Sequence, residues 1–398
     1  MMFDAMVLGA ELDGWLCALR LLENGRSVCI LSRGAGSLHY APGGVRVLGR
    51  TTNKNDPVER PLEHLGALHE GHPYRRAGLD RCRSALTWFG DVAATGLSPD
   101  SPNHPAVSSA GLKAPVLQAC PNQAMLENLV GRKVTLLAFK EHRDFTAGLI
   151  VSELTKAGVD VVALEVDAPG NRTDTVAISR LFDGMGDDSA WFDAVSEAIP
   201  DSTEIILCSA AMGLDRHAEV LREAGKSWKR PVYEVPTLPA CVPGMRLARR
   251  LEAAVRSKGG VVRSGIKVID HIRNPDGLVS VLDENNRSMA ARSFVLATGG
   301  VLMGGLEVQS DGAVRESVLG LGVVSMNPLA AEGREATLSA LHACGVETDE
   351  DFRADSNVFV TGRTLPHWNP AVELSAEGVS IVSGWSAAEA IHEMLGDG

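Results

Sequence analysis

An α/β fold built on a parallel sheet is what this 398-residue sequence predicts. Three features carry the prediction: a strand–glycine–helix–strand unit at the start, alternating strands and helices in the middle, and strand–glycine turns that return near the end. In the first unit, Ala5-Met6-Val7-Leu8 reads as a short buried strand followed at once by Gly9. Leu12, Leu16 and Leu19 then recur at i, i+4 and i+7, the helical period. Asn24-Gly25 stops that helix, because both residues tolerate the left-handed conformation that ends helices. Ser27-Val28-Cys29-Ile30-Leu31 is a second buried strand, and a β-α-β unit implies parallel pairing.

The middle of the chain offers strands from Lys133 to Phe139, Val159 to Val166 and Ile205 to Cys208. A helix from Phe145 to Lys156 lies among them, with Asp144 as its expected N-cap. Residues 51 to 125 show no clear period and read as loops and short helices. Towards the C-terminus, Leu247, Leu251, Ala254 and Val255 mark a helix that stops at Gly259-Gly260. A hairpin turns on Asn274-Pro275-Asp276-Gly277. Ser293 to Ala297 is a strand that runs into Thr298-Gly299-Gly300, and Val358-Phe359-Val360 runs into Thr361-Gly362 before a last helix. The expected organisation is a Rossmann-like FAD/NAD(P)-binding domain made of residues 1–50 and 235–398. An inserted α/β region, 51–234, splits it.

Composition narrows the function. Apolar residues make up 45% and charged residues 22%, ordinary for a globular chain. Thirty-eight basic against 50 acidic residues leave a net charge of −12, and an acidic surface repels phosphate backbones, so nucleic acid is a poor partner. No apolar run reaches the roughly 18 uncharged residues of a spanning helix. The first residues lack the basic segment and cleavage site of a signal peptide, which predicts a cytoplasmic chain. Seven scattered cysteines without a C-x-x-C pair argue against a disulfide framework, a zinc ribbon or an iron–sulfur cluster. His64, His69 and His72 lie close in sequence but lack helical spacing and an adjacent carboxylate set, so no metal is expected. Arg246 and Arg315 read as solvated. Neither a Walker A loop nor a Gly-x-Ser-x-Gly elbow is present.

The first glycine turn is the most informative segment. A helix N-terminus presents unpaired N–H groups and a positive dipole end to a phosphate. In the G-x-G-x-x-G fingerprint the first glycine makes the turn, the second admits the pyrophosphate and the third lets helix pack on strand. Here Gly9 and Gly14 hold the first and third places, but Glu11 stands at the second and Asp13 adds another acid. Two unit charges about 6 Å apart at an effective dielectric near 20 repel by roughly 3 kcal/mol, about two decades in affinity. The side chain could also swing outward and free the amides, and the two glycines could serve only a tight turn. The second strand ends Leu31-Ser32-Arg33-Gly34, without the acid that holds an adenosine ribose. That leaves a 2′-phosphate held by Arg33, a mononucleotide, or no nucleotide; a plain NAD site is disfavoured.

Taken with further segments, these residues resemble the B-subunit family of the anaerobic glycerol-3-phosphate dehydrogenases, nearly end to end. The resemblance rests on Ser32-Arg33-Gly34 with Ser37-Leu38-His39, on Ile178-Ser179-Arg180-Leu181-Phe182-Asp183, and on Pro236-Thr237-Leu238-Pro239 with Gly244-Met245-Arg246-Leu247. It continues through Leu296-Ala297-Thr298-Gly299-Gly300, Gly304-Gly305-Leu306, Arg315-Glu316 and Leu319-Gly320-Leu321. The resemblance implies a flavoprotein fold and a part in oxidising sn-glycerol 3-phosphate to dihydroxyacetone phosphate, with electrons passed to quinone. It also implies two partners: the flavin-bearing catalytic A-subunit, and the iron–sulfur C-subunit that docks the complex to the cytoplasmic membrane.

FMN is the implied cofactor, and it has no adenosine ribose to hold, which suits Arg33. The residues expected around it are Gly9, Gly14, Ser32, Arg33, Gly43, Gly44, Thr298, Gly299, Gly300 and Gly362. The sequence departs from the family at both ends of this site, with Glu11 in the phosphate turn and with Glu373 and Glu377 before the last helix. The alternatives are therefore a flavin-free scaffold of the same complex, and an independent oxidoreductase using NADP or FAD. A relay or a scaffold requires no acid, base or nucleophile of its own, so no catalytic residue is assigned.

Overall fold

A computed structural model describes residues 2–51, 56–93, 97–185, 190–325 and 327–396. Its chain forms two compact units, one of residues 1–37, 46–102 and 249–398, the other of 38–45 and 103–248. The sequence-based boundaries put 51–102 in the insertion. Here its described residues cluster with the first unit, while 38–45 and 235–248, expected in the nucleotide-binding domain, cluster with the second.

In the first unit, strand β1 (Phe3–Leu8), helix α1 (Leu12–Glu23) and strand β2 (Val28–Ser32) form the expected β-α-β. β1 pairs in parallel with β2 on one side and with Ser288–Leu296 on the other. β2 also pairs in parallel with Val261–Ser264. The strand Ser288–Leu296 forks. Its first residues pair antiparallel with Gly277–Asp283, which continues into the hairpin strand Val268–Asn274, while its last three pair in parallel with Val358–Val360. Both ends of the chain thus meet in one sheet.

α1 is covered on its other side by the last helix, Ala376–Leu395, which is why Leu12, Trp15, Leu16 and Leu19 are all buried. A Cβ on Gly384 would lie 2.5 Å from the Asp13 carbonyl oxygen, so only glycine permits this approach. At the far end Arg20 Nε and Asn24 Nδ2 both donate to Glu389 Oε1, at 2.8 and 2.9 Å. A helix that the sequence pattern does not reveal, Leu79–Val92, packs here too. It buries Cys82, Ala85, Leu86 and Phe89, a helical spacing masked in the sequence by Asp80, Arg81 and Arg83. Tyr74 O–H donates to the Val47 carbonyl at 2.6 Å, which ties that region in.

In the second unit, four parallel strands run in the order Asp160–Val166, Lys133–Phe139, Ile205–Ser209, Val232–Val235. The neighbouring helix is Ala147–Lys156, two residues shorter than expected. Asp144 does not cap it. Its carboxylate instead accepts from the N–H and O–H of Thr175, both at 3.0 Å, at the start of helix Thr175–Gly184. Asp183 accepts backbone N–H bonds from Leu214, Asp215 and Arg216, so the Leu-Phe-Asp segment anchors a loop after Ile205–Ser209. Arg246 is not solvated either. It is buried and forks onto Glu234, with Nη1 donating to Oε2 at 2.6 Å and Nη2 to Oε1 at 3.0 Å. Among the described residues no helix is long and apolar enough to cross a membrane.

Burial opposes the charge of Glu234, yet Arg246 and His217 beside it hold its carboxyl below the usual carboxylate range. Arg246→Leu leaves that acid buried and uncompensated, and is expected to lower stability by about 3–5 kcal/mol in urea unfolding at pH 7. The depressed carboxyl contributes stability above the ordinary carboxylate range, lost as pH falls through its folded value. In Arg246→Leu the buried Glu234 has lost this support and takes up a proton at higher pH than in the wild type, so the deficit should narrow in acid. An equal deficit at pH 7 and pH 4 would contradict this account.

Candidate functional site

Register brings the sheet's turns together. Leu8 pairs with both Leu31 and Leu296, and Leu296 with Val360, so four parallel strands of the first unit end at one edge. The turns that follow are Gly9, Ser32-Arg33, Thr298-Gly299-Gly300 and Thr361-Gly362. Ligands of parallel α/β sheets bind at such carboxyl ends. A cavity of about 420 Å³ opens there, and Gly9, Ser32, Arg33 and Thr298 line it together with Lys267.

The other expected residues lie off its walls. Gly14 packs behind, where a Cβ would meet the Ala297 Cβ at 2.8 Å, the helix-on-strand role of a third glycine. Gly300 backs onto the Arg363 carbonyl. Gly362 faces the Asp13 carboxyl, and its N–H donates to Ser383 Oγ at 2.9 Å. Gly43 and Gly44 belong to the second unit, where their Cβ directions are filled by Cys120 and Gln123. Gly9 itself adopts φ +124° and sits against the Ala297 carbonyl, so no other residue fits the turn.

Glu11 decides the character of the turn. It is only 5% exposed and does not swing outward. Although it occupies the N-cap of α1, its carboxylate makes no cap; it accepts from Ser37 N–H at 2.9 Å and from Ser37 O–H. A Cβ on Gly36 would lie 3.0 Å from Glu11 Oε1, and one on Gly299 3.1 Å from its carboxyl carbon. The carboxyl therefore rests in a cradle of two glycines, the kind of space a phosphate uses. Burial pushes its pKa up, against the Ser37 hydrogen bonds and the charge of Arg363. Asp13, 2% exposed, is pushed up to about 6 by burial and by Glu11, although Thr361 O–H donates to it at 2.7 Å.

The acids around the start of the last helix, Glu373 before it and Glu377 in its first turn, are also paired inside the protein. Glu377 takes both arms of Arg46, at 2.7 and 2.9 Å. Glu373 accepts from His72 Nε2 at 3.1 Å, from Ser375 O–H at 3.0 Å and from Asn369 N–H at 3.1 Å. Burial opposes their charge, but these partners hold both below the usual carboxylate range. Sequence reasoning finds the acids and misses Arg46 and His72, which lie about 300 residues away.

Against known families, the FAD binding domain family matches residues 4–362. The chain belongs to that family. The match spans the parallel sheet with Gly9 at its first turn, and the flavoprotein-type α/β fold expected from the sequence is borne out. The chain is 27% identical to the B subunit of the anaerobic glycerol-3-phosphate dehydrogenase of Vibrio cholerae serotype O1 (strain M66-2), over 98% of this chain and 97% of that protein. It is 28% identical to a probable B subunit of the same enzyme from Halobacterium salinarum (strain ATCC 29341 / DSM 671 / R1), over 98% and 99%. The resemblance read from the sequence is thus borne out. A variant of the E. coli quinol fumarate reductase FrdA shares 10% identity at a TM-score of 0.43, covering 100% of this chain and 72% of that one.

Membership of an FAD binding domain family supports a flavin as the cofactor. Arg33, Lys267 and Ser32 bring a guanidinium, an ammonium and a hydroxyl to the cavity wall. The turn as it stands does not fit a flavin phosphate, because the Glu11 carboxyl already lies between Gly36 and Gly299. A phosphate there would displace Ser37 from Glu11 and face two carboxyls.

The two acids also predict a pH dependence. Asp13 rises from an ordinary 3.8 to about 6 on folding, so between those values the folded chain binds the extra proton. Its contribution is favourable in acid and is lost as pH rises through about 6. Asp13→Asn keeps an acceptor for Thr361 and removes this loss, so it should stabilise the chain at pH 8 by about 2–3 kcal/mol and change little at pH 4. Thermal unfolding at the two pH values checks it; no gain at pH 8 would mean that Asp13 titrates normally.

Proposed function

We propose that this chain is the B-type subunit of an anaerobic-type glycerol-3-phosphate dehydrogenase complex. The complex oxidises sn-glycerol 3-phosphate to dihydroxyacetone phosphate and passes the electrons to quinone. Similarity to proteins of that name along nearly the whole chain carries the reading. The chemistry on glycerol 3-phosphate belongs to the flavin-bearing A-type subunit. The iron–sulfur C-type subunit docks the assembly to the cytoplasmic membrane, so this chain sits peripherally on the cytoplasmic side. Reconstitution tests it: the flavin-bearing subunit, the iron–sulfur subunit and this chain together should reduce a quinone analogue when given glycerol 3-phosphate, and leaving this chain out should remove most of that rate. An unchanged rate without it would overturn the assignment.

Two readings of the chain's own role differ in cofactor. As an electron relay it would hold FMN, which the lack of a ribose-binding acid beside Ser32 and Arg33 favours over FAD. As a scaffold it would hold none, and Glu11 in its glycine cradle is the specific observation that favours this second reading. An independent oxidoreductase using NADP or FAD is supported by Arg33 on the cavity wall and, for FAD, by the family match. The scaffold reading expects a colourless purified chain. Glu11→Gly should then tighten or create FMN binding by about a decade or more, read by flavin fluorescence titration. Flavin carried by the wild-type chain as purified would decide for the relay.

A further inference from the structure

Two further cavities open in the first unit. The larger, about 810 Å³, brings His367 to His64, His69 and His72, but its walls mix carboxyl groups with ring donors and acceptors, and their charge selects no ligand. The smaller, about 20 Å³, does select one. A cavity holds a water molecule from about 10–15 Å³ upwards, so this one has room for a single compact occupant.

Two basic side chains from separate elements share it. Arg363 sits in the short helical turn Gly362–Thr364 that follows strand Val358–Val360. His342 comes from the last turn of helix Arg334–Ala343. Both are half-buried. Val301, Leu302, Leu341 and Pro370 give apolar walls, and the indole N–H of Trp368 is already donated to the Leu365 carbonyl at 2.9 Å.

Nothing on the wall answers their charge. Among the described residues, neither the Arg363 nor the His342 side chain makes a hydrogen bond or an ion pair. The two carboxyls that Arg363 influences are engaged elsewhere, Glu11 by Ser37 and Glu377 by both arms of Arg46. The cavity wall itself carries no carboxyl group. An arginine stays charged and offers five N–H donors and no acceptor, so leaving it half-buried without an acceptor is costly. Burial, and the charge of Arg363 beside it, hold His342 below the usual histidine range. The ring is therefore neutral at pH 7 and has one N–H to give.

We propose that this cavity binds one compact monovalent anion, of the halide class, between the Arg363 guanidinium and the His342 ring. Charge sets the sign of the ligand and volume sets its size. A phosphate, with five heavy atoms, exceeds the space, so the site belongs neither to a nucleotide nor to glycerol 3-phosphate. The inference rests on these walls alone and stands or falls apart from the functional reading above.

Chloride is the probe, added to the full chain in a chloride-free gluconate buffer. The ³⁵Cl NMR line should show saturable excess broadening, which bromide competes away. Arg363→Gln keeps the length of the side chain and removes its charge, and should weaken chloride about tenfold or more. Arg363→Lys should retain most of the binding. In histidine-labelled protein, chloride should move the His342 titration midpoint up by about one pH unit. In Arg363→Gln that midpoint should already be high and should no longer respond, which a merely structural arginine would not produce. Should the Gln variant fail to fold, Leu302→Trp, which fills the cavity from an exposed position, should abolish binding with both bases intact. Non-saturable broadening, a chloride affinity unmoved by both Arg363→Gln and Leu302→Trp, or a His342 midpoint indifferent to chloride in the wild type would each overturn the proposal. Displacement of chloride by glycerol 3-phosphate as readily as by bromide would overturn it too, by revealing a larger anion site.

Discussion

The close approach of α1 to the last helix is the constraint on which the first unit depends. It is set by small residues: Gly14 lets α1 lie on the strand that ends at Leu296, and Gly384 lets the last helix lie on the Asp13 carbonyl. Because both helices are pressed together, the first turn of α1 is withdrawn from solvent, and whatever side chains it carries must be satisfied internally. Asp13 meets Thr361 from the far end of the chain, and Glu11 meets Ser37. The same packing that makes a dinucleotide fold possible thus makes two acids in its phosphate turn costly, and the surrounding hydroxyls and glycines are arranged to offset that.

This arrangement separates fold from ligand. Gly9 and Gly14 are required by the turn and by helix-on-strand contact whether or not a phosphate is present. Their presence in a sequence reports the architecture, while the second position of the fingerprint reports the ligand. In this chain the two reports diverge. The cavity at the strand ends keeps Arg33 and Lys267, and the turn beside it carries its own anion. The acids around the start of the last helix follow the same logic, each matched by a buried or half-buried base, Arg46 or His72.

Much of this is legible in the sequence, for reasons that can be named. The strands Phe3–Leu8, Val28–Ser32, Lys133–Phe139 and Val358–Val360 are short apolar runs bounded by glycine or charge, and a parallel sheet needs such runs. The glycine turns after them are visible because the turns demand glycine. What sequence cannot supply are pairings across long separations. Arg246 reads as solvated although Glu234 lies only 12 residues before it, because the burial of Glu234 in its strand is set by the fold rather than by its neighbours in sequence. His64, His69 and His72 read as a loop because the fourth histidine comes from position 367. Helix Leu79–Val92 is hidden by charges on its exposed side.

The forked strand Ser288–Leu296 has a consequence for the order in which the molecule can be made. Its parallel half is complete only when Val358–Val360 has joined it, so the sheet of the first unit stays open until synthesis has passed residue 360. All four strands of the second unit are available once residue 235 has emerged. Domains tend to fold as units during synthesis. The unit whose chain is interrupted therefore waits on the ribosome for its own C-terminus, with β1 and β2 exposed along both edges, while the inserted unit can already be folded. A nascent chain released early would present those unpaired edges to other strands, and it is at that stage, rather than in the finished molecule, that this fold is most prone to aggregate.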